Sequence, residues 1–228
     1  MANKDTDIFA HADKSLMVIL NDMSREFQKI GTQVGFDELD VMEIRKTVNA
    51  MYKRMDAVVQ REYQKICLLA YQDAMEEAGS ISTDDFDAEA FVASALSAYD
   101  PLSDFVYTRE WERKRDRTFE GIIATQIGNQ EMRKLLKRGL DVLANQVRQY
   151  ADNITIQARL EAFKRAGYDM LAWVTEKDER VCEVCGPRDE QIYSLEDFLT
   201  MMPAHYHCRC HPEIVDMESI KKRKRRDN

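Results

Sequence analysis

The chain has 228 residues, of which 44% are hydrophobic and 32% charged, with a formal net charge of −8. That length suits one sizeable domain with a small companion, or two modest ones, and the acidic balance argues against a nucleic-acid coat as the main role. Lys4, Asp5 and Asp7 interrupt the start where a secretory leader would need apolar residues, and runs such as Leu16 to Leu20 are too short to span a bilayer, so no membrane role is expected.

None of the four prolines precedes Pro101, which favours long, uninterrupted helices early in the chain. Residues 5–30 read as an amphipathic helix on Ile8, Leu16, Leu20, Met23 and Phe27, with Gly31 and Gly35 as stop signals. Residues 37–78 form the longest periodic stretch, with Ile44, Val48, Met51, Met55, Val59, Tyr63 and Ile66 in its apolar stripe and Gly79 as the residue past its end. At 1.5 Å per residue such a helix is about 60 Å long, a strut or an assembly arm. Cys67, between Ile66 and Leu68, reads as a buried and inert thiol.

A polar connector follows, with Ser82, Thr83, Asp84 and Asp85 as possible N-caps, then a shorter helix over 88–98 that ends at Asp100-Pro101. From Ser103 the chain is strongly charged. Arg109, Arg113 and Arg117 share one helical face, but Glu110 and other acids interleave, so a solvated helix laced with ion pairs is favoured over a nucleic-acid surface. Residues 121–167 read as two helices joined near 151–153, ending at Gly167. Beyond it, 168–174 and 191–193 fit short strands, Ser194 caps a helical turn over 195–201, and Ile214 and Val215 fit a last strand.

Four of the five cysteines and three of the four histidines lie within residues 182–211. Cys182 and Cys185 make a C-x-x-C pair followed by Gly186, which suits a tight turn. His205, His207, Cys208, Cys210 and His211 crowd together about twenty residues later. Zinc takes four tetrahedral nitrogen or sulfur ligands, so Cys182 and Cys185 supply half of a structural site. His205 and Cys208 repeat the three-residue offset and are the first choice for the rest, with Cys210 a close alternative and His207 and His211 in reserve. Nothing matches a catalytic motif such as H-E-x-x-H, so neither an enzymatic activity nor a small-molecule substrate is expected. The fold class expected is mainly α: a helical region over 1–167, a small α+β zinc module over 168–216, and a basic tail over 217–228.

That tail carries Lys221, Lys222, Arg223, Lys224, Arg225 and Arg226 in one run, which could contact nucleic-acid phosphates in a salt-sensitive way. A nucleic-acid-binding zinc protein is therefore the alternative reading.

The segment Asp178-Glu-Arg-Val-Cys-Glu-Val-Cys185, then Gly186-Pro187, Ile192-Tyr193 and Pro203-Ala-His-Tyr-His-Cys-Arg-Cys210, resembles the Mu F-like family of phage head morphogenesis or minor capsid proteins. The helix Ala158-Arg-Leu-Glu-Ala-Phe-Lys-Arg-Ala-Gly167 leading into Trp173 is similar to the segment before that family's cysteines. The chain departs from the family pattern at Glu190, near which the family often carries glycine, and at Gln149 and Tyr150, which stand where it often has threonine and glutamate. The resemblance implies a low-copy virion component, made in the host cytoplasm. Its partners would be the portal protein or the major capsid protein, and it would assist head assembly, DNA packaging or ejection.

Overall fold

The computed structural model describes residues 7–32, 40–80, 85–100, 105–125 and 129–215. The basic run Lys221–Arg226 lies outside them, as do Gly35, Ser82, Thr83, Asp84 and Pro101. In chain order come α1 (Ala10–Thr32), α2 (Val41–Glu77), α3 (Ala88–Ser97), β1 (Tyr99–Asp100), β2 (Phe105–Val106), α4 (Tyr107–Ala124), α5 (Asn129–Arg165), β3 (Met170–Val174), β4 (Ile192–Ser194), α6 (Leu195–Met201) and β5 (His211–Ile214). The fold is mainly helical, with a small antiparallel sheet of order β4-β3-β5 near its C-terminal end. No helix among the described residues is long and apolar enough to cross a membrane.

The described residues fall into two compact units. Ala10–Ile66 and Asp87–Ala151 form the helical unit. Its core follows the predicted stripes with one change, Ile19 being buried in α1 where Leu20 is expected and Leu20 only half-buried: Leu16, Ile19, Met23 and Phe27 of α1, and Val48, Met51, Met55, Val59 and Tyr63 of α2, are buried together with Leu143 and Val147 of α5. Polar groups trim this core. The Tyr63 hydroxyl donates to the Val147 carbonyl at 2.9 Å, and Arg54 of α2 reaches Glu26 of α1 at 2.5 and 2.9 Å. On α4, Trp111 and Phe119 turn inward, while Arg113 and Lys114 both pair with the buried Glu110. Arg115 pairs with Asp116 at 3.1 Å, so two of the α4 arginines, Arg113 and Arg115, are ion-paired with acids of their own helix.

Among the described residues, the second unit gathers 7–9, 67–80, 85–86 and 152–215. Here α2 and α5 end alike. Gly79 (φ 69°) and Gly167 (φ 84°) take the left-handed conformation just past each helix, and the following amide closes back five residues, Ser80 to Met75 and Tyr168 to Phe163. Arg159 of α5, almost fully buried, pairs with Glu77 of α2. The Cys67 thiol is fully buried, and burial pushes it up to about 12. In the small sheet, β3 pairs with β4 through Met170–Ser194, Leu171–Tyr193 and Ala172–Ile192, and with β5 from Leu171–Ile214 to Val174–His211. Trp173 and Phe198 stack beneath it at 5.7 Å.

Several expectations are corrected. α5 is one continuous helix of 37 residues, not two joined near 151–153. Gln149 and Asn153 are polar but buried, and no proline or glycine occurs in that stretch, so nothing stops the backbone ladder. α4 runs to Ala124 with Gly121 inside it, and α5 starts at Asn129. The cap of α3 is Asp87, whose carboxylate accepts from the Ala90 amide at 2.9 Å. The last strand starts at His211 and ends at Ile214.

Candidate metal centre

Two similar turns build the site. In the first, the amides of Cys185 and Gly186 donate to the Cys182 carbonyl at 3.1 and 2.9 Å. In the second, the Cys208 amide donates to the His205 carbonyl at 3.2 Å. C-x-x-C and H-x-x-C therefore fold the same way, and each presents two donors from one tight turn. Gly186 does not need its conformational freedom here. It begins a right-handed 3-10 turn (Gly186–Arg188), and an added Cβ would meet only Val181 Cγ1, at 3.8 Å. The left-handed residue is in the second turn, His207 at φ 56°.

The turns are locked across the site by charge. Arg209 donates to both carboxylate oxygens of Asp178 at 2.8 Å. Arg209 and the Arg180 amide hold the Asp178 carboxyl below its usual range. The loop before the first turn is fastened twice more, by the Thr175 amide on Asp189 at 2.9 Å and by Lys177 on Glu190 at 2.7 Å. The second turn is delivered by α6, whose N-terminus is closed by a reciprocal pair of bonds between Ser194 and Asp197.

The donors converge. Cys182 Sγ and Cys185 Sγ each lie 3.2 Å from His205 Nε2, and Cys185 Sγ lies 3.8 Å from Cys208 Sγ. Cys182, Cys185 and His205 have all their donor atoms within 4.8 Å of one another, as do Cys185, Cys208 and Cys210. The two groups share Cys185. His207 and His211 belong to neither: His207 borders the adjoining cleft, and His211 Nε2 faces Glu213 at 3.3 Å. His205 Nδ1 donates to the Tyr206 carbonyl at 2.9 Å, which leaves the Nε2 lone pair turned to the sulfurs.

The electrostatics separate the thiols. Backbone amides of Cys185 and Val184 on its sulfur hold Cys182 below the usual thiol range. The Cys210 thiol on its sulfur, with amides of Ala204 and Cys210, brings Cys208 down to about 5 against the opposing effect of burial. Burial pushes Cys185 up to about 12. Cys210 is raised, first by its bond to Cys208 and then by burial. Burial works against a charge on His205, but the Tyr206 carbonyl and the Cys208 and Cys182 thiolates outweigh it and raise its pKa. The arrangement is a compact set of soft donors that can hold a metal ion, and the metal in turn would favour the thiolate form at every sulfur it binds.

No family model, no curated protein and no solved structure matches this chain. Two contributors to the site carry no signal in the ligand spacing. Arg209 lies between two cysteines in sequence and cannot ligate, yet it ties one turn to the other. Trp173 is fully buried, and strand pairing sets it opposite Pro212, two residues past Cys210.

Proposed function

We propose that the cluster holds one structural zinc ion and that the chain is a minor head protein of a bacteriophage, serving head assembly, DNA packaging or ejection at the portal or inner capsid wall. The zinc reading is supported by the donor set. Thiolates and an imidazole suit zinc, and two sulfurs about 2.3 Å from one tetrahedral ion stand about 3.8 Å apart, which is the Cys185–Cys208 separation. Cys182, Cys185 and His205 would hold the ion with a closing thiolate from Cys208 or Cys210. The ion would supply a cross-link between turns about twenty residues apart and no chemistry. The strands and α6 are only three to seven residues long, so that link would contribute much of the module's stability.

The head-protein reading rests chiefly on one observation. The residues that resemble the Mu F-like family, from Asp178 to Cys210, are the residues gathered around the donors. The long helices α2 and α5 suit a docking strut. The test is co-expression with portal and major capsid proteins, followed by isolation of heads. The chain is expected in the head or portal fraction at low copy number, with one zinc per chain by elemental analysis. A chain absent from both fractions overturns the head reading, and a folded chain without metal overturns the zinc reading. Salt-sensitive DNA binding that vanishes when residues 221–226 are removed would shift the function to the nucleic-acid alternative.

A further inference from the structure

Five donors serve a four-coordinate ion, and the surplus falls on two neighbouring thiols. Cys208 completes the H-x-x-C turn, and its sulfur is 3.8 Å from Cys185. Cys210, only 5% exposed, belongs to the same triad of donors as Cys185 and Cys208. Cys210 also borders the cleft that Cys182, Cys185 and His205 line, which Cys208 does not. The indole N–H of Trp173 is fully buried and has no acceptor within ordinary hydrogen-bond geometry, and strand pairing sets Trp173 opposite Pro212, two residues past Cys210. A buried donor without an acceptor is costly. A thiolate at Cys210 would satisfy it, as outer partners of metal ligands commonly do. Each thiol thus has a separate qualification as the closing ligand, one from the turn and one from the cleft and the indole.

We propose that Cys208 and Cys210 are interchangeable closing ligands, so that the metal is held by Cys182, Cys185, His205 and either of the two. In the exchange the incoming thiol gives up its proton and the departing thiolate takes one, so the net charge of the site is unchanged. Cys210 adjoins β5, whereas Cys208 belongs to the turn. The exchange would therefore pass the metal's hold from the turn to the sheet. This inference rests on the zinc reading above.

The test uses the full chain loaded with Zn2+ or Co2+, with metal content and chelator competition as readouts. Cys208→Ser and Cys210→Ser are each expected to keep one metal per chain with affinity reduced about tenfold or less, and the double variant to lose about a thousandfold or more. The cobalt–thiolate absorption should keep its intensity in both single variants and fall in the double. A single variant as defective as the double would make that cysteine the sole ligand and overturn the proposal. Full retention by the double variant would overturn it too. Should a variant fail to fold, the unmutated chain loaded with cadmium-113 decides: metal coupling to the β-protons of both Cys208 and Cys210 is expected, and coupling to only one defeats it. An unmutated chain that takes up no metal would instead defeat the zinc reading itself.

Discussion

In the helical unit, Leu16, Ile19, Met23, Met51, Met55, Val59 and Tyr63 are each no more than 1% exposed, and the polar bonds decorate an apolar core. In the small module, the buried side chains include Leu171, Trp173, Leu195, Phe198 and Met202 together with Cys185, Cys208 and Cys210. Sulfur there takes places that leucine or isoleucine fill elsewhere. The backbone differs as well. Among the described residues, the non-glycine residues with left-handed φ are Lys177, Glu190 and His207, all in the module. One region spreads its core over many apolar contacts. The other mixes a few apolar side chains with sulfurs and holds its backbone in costlier conformations.

The sharpest way to break that contrast is to withhold the metal proposed above. Structural zinc in small domains carries an apparent 10–16 kcal/mol of folding free energy, roughly, at neutral pH. The two tryptophans sit one in each region, Trp111 in the helical unit and Trp173 in the module. In a Trp111→Phe variant, a chelator should shift Trp173 emission to that of an exposed indole while most of the far-UV helical signal stays. Simultaneous loss of both signals would show that the helical unit depends on the donors as well. The converse experiment is Leu16→Ala, expected to cost about 2–5 kcal/mol in denaturant unfolding of the helices and to leave metal affinity unchanged. A large change in metal affinity would sink the idea that the two regions stand on separate supports.

A smaller effect concerns charge within the helical unit. Burial opposes ionisation of Glu26, but bonds from Lys29 and Arg54 outweigh it and lower its pKa from 4.5. A carboxyl depressed on folding stabilises above its unfolded value, and that stabilisation is lost as pH falls through the folded value. Because Lys29 and Arg54 are more than half exposed, the contribution is about 1 kcal/mol or less. Glu26→Gln should therefore unfold more easily than the parent chain at neutral pH, and the two should converge below about pH 4. A gap that persists in acid would point to packing at Glu26 in place of charge.

Much of this organisation was legible in the residues. The apolar stripes of α1 and α2, the glycine ends at Gly79 and Gly167, the Ser194 cap and the grouping of donors all follow from local rules that need no tertiary knowledge. The continuity of α5 was not, because Gln149, Asp152 and Asn153 look like a connector until the surroundings that bury Gln149 and Asn153 are known. The Asp178–Arg209 bond spans 31 residues, and Trp173 is set opposite Pro212, two residues past Cys210, by strand pairing, so neither leaves a spacing to read. The choice between Cys208 and Cys210 stays open in the sequence for a physical reason: two residues apart on an extended chain, both sulfurs can reach the same place.

The finest test reverses sign between the two regions. Glu190 sits at φ 60°, with its amide donating to the Trp173 carbonyl at 2.7 Å and its carboxylate on Lys177. A side chain pays to adopt that conformation and glycine does not, so glycine would be the less strained residue at this position. Replacing Glu190 with alanine keeps the strain and loses the ion pair, whereas Glu190→Gly loses the ion pair and the strain together. The glycine chain should be the more stable of the two by about 0.5–1 kcal/mol, after allowing for the extra freedom glycine gains when unfolded. At the exposed Lys53 in the middle of α2 the same pair of substitutions should run the other way, with glycine about 1 kcal/mol worse than alanine. Both differences can be read from unfolding of the metal-saturated chain, at Trp173 for the first and by far-UV signal for the second. If alanine matched or beat glycine at 190, the left-handed backbone there would not be imposed by the fold, and the module would differ from the helices only in its donors.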